Sequence, residues 1–270
     1  MIFVPTTLSA GEYHSHAGCL DREAGVKKQF SYPGMVPRWI ICDAELVSHT
    51  PQWVWLSTGI VLSNANVYAG IRAVDHACES LCQTSPHSEE YDNYSVSALK
   101  LLLPGLLEVK QSPSLAAYTK CQKGAWNAIK PVIAKPEPVQ LGASHAIGHK
   151  LGGLYKVDHG VTSCVMLPAV MEWNKSVNKE RQDRIVEVFK STGVIDQLRE
   201  KGIAGKESAG NLLNGYVKLL GMPGSLSEVG VGRDRWDRLA LETMKDPWTH
   251  TNPRKVNGTD DLIEIFEMAA

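Results

Sequence analysis

Polar and apolar residues change rhythm once along this chain, near residue 51. Before that point the apolar runs are short: Ile2, Phe3 and Val4 stop at Pro5, and Trp39, Ile40, Ile41 and Cys42 stop at Asp43, with a turn-rich stretch at 30–37 between them. Runs of this length closed by Pro or Asp read as strands, so residues 1–50 form a small β-containing edge. From Pro51 onward the apolar positions recur at helical spacing. Helices are expected near 51–83, 91–110, 113–134, 142–154, 161–173, 177–191, 193–201, 206–220, 224–228, 232–244 and 259–269. The stripe Asn211, Leu213, Val217 and Leu220, stopped by Gly221-Met222-Pro223-Gly224, shows both the period and its punctuation. The fold class is therefore mainly α, a multi-helical body with a small β portion.

Charge narrows the partners. Lys and Arg total 28 against 29 Asp and Glu, a formal net charge of −1. That balance lacks the basic excess that counterion release from nucleic acid or attraction to an anionic membrane requires. The longest apolar stretches, at 53–62 and 101–107, fall short of the roughly 18 residues that read as a membrane-spanning helix. The opening Met1-Ile2-Phe3-Val4-Pro5 has neither a basic segment nor a long apolar one, so no secretory signal is expected. Six cysteines lie scattered without a CxxC pair, as in a protein with reduced thiols, and the expected compartment is the cytoplasm. No glycine fingerprint for a dinucleotide or a P-loop is found, because Gly152-Gly153 follows a helical pattern and not a strand.

The strongest local signal is histidine. Of nine in the chain, His145, His149 and His159 fall within fifteen residues. In Gly142-Ala143-Ser144-His145-Ala146-Ile147-Gly148-His149 the i,i+4 spacing sets both imidazoles on one helical face, and the small residues around them let another backbone come close. His159 follows a short turn and can return to the same wall, and His76 lies mid-helix. A lone histidine on an apolar face is more often a hydrogen-bonded core residue. Three grouped in a glycine- and alanine-rich setting favour a shared pocket, because buried imidazoles each need a partner. Such a pocket suits either a divalent metal or an anionic substrate with a general acid.

On these residues the chain resembles the iron-containing (group III) alcohol dehydrogenase family, most closely its maleylacetate-reductase-like, fungal branch. The resemblance rests on Pro5-Thr6-Thr7-Leu8-Ser9, on Gly70-Ile71-Arg72-Ala73-Val74-Asp75-His76-Ala77-Cys78-Glu79, on Cys121-Gln122-Lys123-Gly124-Ala125-Trp126, on the block from His145 to Asn174 with His159-Gly160-Val161-Thr162-Ser163-Cys164 and Leu167-Pro168, and on Thr251-Asn252-Pro253. It implies the helical domain of a two-domain oxidoreductase, with residues 1–50 as the remnant of a nucleotide-binding α/β domain and 51–270 as the helical catalytic domain. It also implies NAD or NADP as cofactor, held by Thr6, Thr7, Ser9 and Lys28. Metal-ligand positions fall on His76, His145 and His159, and His149 faces nicotinamide and substrate.

Three departures refine what the resemblance implies. Arg72 stands four residues before His76, where metal-dependent relatives have aspartate; a cation opposes iron or zinc but suits an acidic substrate. Asp75 lies about 100 degrees round the helix from His76 and is expected to be a poor substitute. The glycine-rich turn of the nucleotide domain would lie upstream of Pro5. Residues 60–70 form an unusual insertion. The leading expectation is an NAD(P)H-dependent reductase of a small acidic carbonyl or enoyl substrate, with His149, His145 and Arg72 catalytic and a homodimer as a compatible assembly. Its rivals are a metal-dependent alcohol dehydrogenase and a truncated, non-catalytic helical protein.

Overall fold

The structure is a computed structural model that describes residues 2–13, 16–21, 26–32, 37–50, 70–86, 88–203 and 207–270, with the backbone alone at 12, 16–21, 26–31 and 70. The expected helix from residue 51 and the insertion at 60–70 lie outside the described residues up to Gly70. Among the described residues two small sheets form the β portion. β1 (Ile2–Phe3) and β4 (Trp39–Ile40) pair in parallel, extended by the Ile41 N–H donating to Phe3 O at 2.9 Å. β2 (His16–Asp21) and β3 (Val26–Ser31) form an antiparallel hairpin with His16 opposite Ser31 and Asp21 opposite Val26. No apolar alternation announces β2, and β3 ends at Ser31, just inside the turn-rich stretch at 30–37.

Helices follow with short connections. α1 (Ala44–Ser48) is capped by Asp43, whose side chain accepts from Leu46 N. α2 (Gly70–Cys82), α3 (Glu89–Gln111) and α4 (Leu115–Ile133) pack on one another, with Ser88 and Ser114 capping the last two in the usual N-cap manner. α5 (Ala143–Tyr155) ends on Lys156 in the left-handed region, and α6 (His159–Ser191) begins three residues later. α6 covers both expected helices 161–173 and 177–191, joined across a kink at Asn178 (φ −138, ψ 30). There the Asn178 amide donates to Cys82 O at 2.8 Å and Gln182 Nε2 to Met171 O at 2.6 Å, so side chains serve carbonyls beside the bend.

α7 (Val194–Glu200), α8 (Ala209–Leu220), α9 (Trp236–Thr243) and α10 (Thr259–Met268) complete the body. α8 stops where the glycine-proline run predicts, with Gly221 at φ 79 and the Met222 N–H returning to Val217 O. The helix expected at 224–228 is instead a turn. Glu228 accepts from the Gly224 and Ser225 N–H groups, Leu226 N–H donates to Ala269 O, and Gly230 at φ 74 turns the chain away. One hydrophobic core runs through α2 to α10, with Trp173, Tyr216, Phe189 and Phe266 as its largest buried side chains in the helices. No described helix is long and apolar enough to cross a membrane.

Candidate active site

α2 carries two buried faces of opposite character. Ile71, Val74, Cys78 and Leu81 enter the core, while Arg72, Asp75, His76 and Glu79, spaced by three or four residues, lie on the other side and are almost as inaccessible. That second face meets the start of α5. Gly142 caps α5 without a side chain, so its first amides are served from elsewhere. Gly142 N–H donates to Glu79 Oε2 and Ser144 N–H to Glu79 Oε1, both at 2.9 Å. Ala143 N–H donates to Asn252 Oδ1 at 3.1 Å, and Asn252 is itself fixed by reciprocal amide bonds to Asn174 at 2.7 and 3.1 Å. A Cβ at position 142 would stand 2.8 Å from Asn252 Oδ1 and 3.0 Å from Glu79 Oε1, so a glycine is needed for both caps to reach the helix.

This capping sets the histidines. His145 Nδ1 is 2.7 Å from Glu79 Oε2 and 3.5 Å from Asp75 Oδ2, and its Nε2 is buried with no hydrogen-bond partner among the described residues. Ser144 Oγ donates to Asp75 Oδ2 at 2.8 Å. One turn on, His149 Nδ1 is 3.0 Å from Asp246 Oδ2, and its ring lies 5.0 Å from Trp248 and 6.2 Å from His159, parallel to the latter within 3°. The His76 ring is 4.7 Å from that of His145. Arg72 donates from Nη1 to Ser163 Oγ on α6 at 3.2 Å, while its buried Nε has no partner among the described residues. Glycine at 148 lets α5 approach α6: a Cβ there would stand 2.8 Å from Thr162 Oγ1, while Arg72 Nη1 at 3.7 Å would be in ordinary contact.

Burial dominates the electrostatics. It lowers Arg72 to about 10, against the opposing pull of Asp75 and Glu79, so the guanidinium is still charged at neutral pH. It raises Asp75 to about 6, with Arg72 and hydrogen bonds from Ser163 and Ser144 opposing. Glu79 is raised to about 8 by burial and by Asp75, against the Gly142 and Ser144 amides and Arg72. His145 is pushed well below the ordinary histidine range by burial, then by Arg72, His76, His149 and His159, and stays neutral. Burial would raise Asp246, but the hydrogen bond from His149 and the charges of His149 and Lys150 outweigh it and leave its carboxyl below the usual range.

Arg72, His76, His145, His149 and His159 are thus brought to one junction of α2, α5 and α6. Thr6, Thr7 and Ser9 lie in the bends after β1, where Thr7 and Ser9 hydroxyls are 3.3 Å apart and Thr50 Oγ1 donates to Thr6 O at 3.3 Å. Lys28 falls within β3, and its side chain lies outside the described residues. Asp75, expected to be turned away, lies within the cluster: i and i+3 share the face that carries Arg72 and Glu79. Asp246, Asn252 and Trp248 had no assigned role. Only the charged residues at 72, 75 and 79 left a signal, a polar stripe on a helix otherwise apolar.

The residues present fit a divalent metal poorly, although Asp75 Oδ1 and His145 Nε2 are without partners among the described residues. Asp75, Glu79 and His145 place ligand atoms within 4.8 Å of one another. Yet both Glu79 oxygens accept backbone N–H groups, Oε2 also faces His145 Nδ1, and Asp75 Oδ2 is taken by Ser144. At the position four residues before His76 stands a guanidinium, which cannot ligate and repels a second cation.

The helical body thus gathers four imidazoles at the junction of three helices. The chain belongs to the Fe-containing alcohol dehydrogenase family, whose C-terminal part matches residues 66–270. It is similar to dehydrogenase FUM7 of Gibberella moniliformis (strain M3125 / FGSC 7600), 29% identical over 296 residues, which cover all of this chain and 64% of that protein. Among solved structures it resembles an alcohol dehydrogenase from Oenococcus oeni (25% identity, TM-score 0.81, covering 100% of this chain and 65% of that one). The maleylacetate reductase from Agrobacterium tumefaciens shares the fold (24% identity, TM-score 0.79, covering 99% of this chain and 66% of that one). The chain therefore spans somewhat under two thirds of FUM7, and its family consists of oxidoreductases.

Proposed function

We propose that the chain is the helical catalytic part of an NAD(P)H-dependent reductase that acts on a small acidic carbonyl or enoyl compound, similar to maleylacetate reductase, without a metal. The observation that carries this reading is the buried Arg72. Its guanidinium has five donors and, among the described residues, a single hydrogen bond, to Ser163, and it sits beside the imidazoles where a reacting group would lie. A substrate carboxylate would satisfy the remaining donors by a charge-assisted, bidentate contact. α6 begins at His159, so the positive end of its dipole adds to the same field. The cofactor supplies the hydride. Its pyrophosphate and ribose suit the neutral hydroxyls of Thr6, Thr7 and Ser9, with Lys28 on the ribose, and residues 1–50 then belong to the nucleotide-binding domain while 51–270 form the catalytic one.

The test compares the chain with Arg72→Met. KM for an acidic carbonyl substrate should rise by about 100-fold, the value of one strong ionic contact, while a neutral ester of the same substrate is little affected. Bound iron and zinc should amount to well under one per chain, and Arg72→Asp should raise them. Stoichiometric metal in the unaltered chain would favour the metal-dependent alcohol dehydrogenase, for which the His145 Nε2, without a partner among the described residues, is the supporting feature. Absence of both turnover and dinucleotide binding would favour a non-catalytic helical protein.

A further inference from the structure

We infer that Asp246 is a positioning residue that makes His149, and not His145, the proton donor of the proposed reduction, an assignment that rests on the reductase reading. Asp246 opens the 3-10 turn Pro247–Thr249, which the Thr249 N–H closes onto Asp246 O at 3.1 Å. Its two carboxylate oxygens have separate duties: Oδ1 accepts from Trp248 N–H at 3.2 Å, and Oδ2 faces His149 Nδ1 at 3.0 Å. A carboxylate only accepts, so Nδ1 carries a proton and Nε2 is left as the atom that exchanges one. Trp248 and His159 flank the ring and fix its plane.

Both histidines of α5 have a carboxyl group at Nδ1, but burial raises that of Glu79 whereas that of Asp246 lies below the usual range, and their surroundings differ further. His145 is fully buried, its Nδ1 is against Glu79, and its Nε2 has no partner among the described residues. An imidazolium at His149 is faced by the Asp246 carboxylate, with Lys150 3.5 Å from the same Oδ2, His159 from α6 and His145 from its own helix as the cationic or titratable groups around it. His149 also keeps a side-chain exposure of 11%, enough to recover a proton from solvent. In the step itself the carbonyl carbon takes a hydride from NAD(P)H, which is oxidised to NAD(P)+. The carbonyl oxygen takes the proton from His149 Nε2, breaking that N–H bond as the O–H bond forms. His149 becomes neutral with Nδ1–H still on Asp246.

Asp246→Asn is nearly isosteric and should fold. The amide it introduces must keep its oxygen on the Trp248 N–H, so the amide nitrogen turns toward His149 and can only donate, forcing the proton from Nδ1 to Nε2. The experiment is 15N NMR of the full chain labelled at histidine, with a pH titration and turnover measured on the same samples. In the unaltered chain neutral His149 should show a protonated Nδ1 and a bare Nε2. In Asp246→Asn the pattern should reverse and the His149 pKa should fall by about one unit or more. Lys150→Met should leave the tautomer unchanged. kcat for an acidic carbonyl should drop by about 10-fold or more in Asp246→Asn, with KM for NAD(P)H within about 2-fold. A bare Nδ1 in the unaltered chain, or a His145 that titrates between pH 6 and 8 while His149 does not, overturns the assignment. Expected tautomers with no reduction of any acidic carbonyl overturn the reductase reading and the donor role with it, while the His149 and Asp246 pairing stands.

Discussion

Gly148 shows how much of the site depends on a missing side chain. The α5 and α6 backbones approach there so closely that Gly148→Ala would drive its Cβ to 2.8 Å from Thr162 Oγ1. The clash is with a short, helix-anchored side chain, so Thr162 or the two helices must shift, while Arg72 Nη1 stays in ordinary contact at 3.7 Å. Gly148→Ala should cost about 1–3 kcal/mol in urea unfolding, the range of overpacked cores. Thr162→Ala in the same chain should restore part of it, which a double-mutant cycle reads directly. At this scale the sequence was half legible. His145 and His149 could be paired in advance because a helix imposes the four-residue spacing. Their partners could not, because Glu79 and Asp246 reach them across 66 and 97 residues of chain and no local period links them.

The start of α5 is held by side chains from two other elements, so its stability is open to test without touching a histidine. Asn252→Ala removes the cap on Ala143 N–H and the reciprocal bonds with Asn174, and should lower stability by about 1–2 kcal/mol by differential scanning calorimetry. Glu79, the other cap, adds a pH dependence. Its carboxyl is raised from 4.5 to about 8 in the fold, so folding favours its protonated form. The stability this contributes is complete below the unfolded value near 4.5 and is lost as pH rises through about 8. Glu79→Gln cannot titrate, so the stability difference between the unaltered chain and Glu79→Gln should move against the unaltered chain from pH 5 to 9. A difference independent of pH would show that Glu79 is ionised throughout. Elements were the most legible scale: apolar stripes and Ser or Gly punctuation placed α3, α4, α5 and α8 within a few residues. The failures at 224–228 and at β2 arise where side-chain caps and strand pairing, not period, decide the backbone.

At the scale of the whole molecule, the balance of 28 cations and 29 anions hides a separation that composition does not show. Arg72, Asp75 and Glu79 lie in the interior at the imidazole junction, whereas ion pairs such as Lys179 with Asp183 and Lys190 with Glu187 lie outside, where they contribute little. Raising salt to 1 M should therefore leave the thermal midpoint nearly unchanged. A fall of many degrees would mean that exposed pairs matter more than the buried cluster.

The segment from Asp246 to Asn252 reaches back to His149 and to the first turn of α5. Thr251 Oγ1 donates to Leu141 O at 2.5 Å, and Gln83 Nε2 donates to Thr251 O at 3.0 Å, fastening the same segment to the body. During synthesis this segment leaves the ribosome after every imidazole of the cluster. A nascent chain halted at residue 245 holds His76, His145, His149 and His159 but has neither the carboxylate that orients His149 nor the amide that caps Ala143. In such a chain the α5 amides at 142–144 should exchange with solvent far faster than those of α3 and α4, whose packing is already complete. The junction is therefore complete only once the segment 246–252 has docked on α5, although all four of its imidazoles precede that segment in the chain.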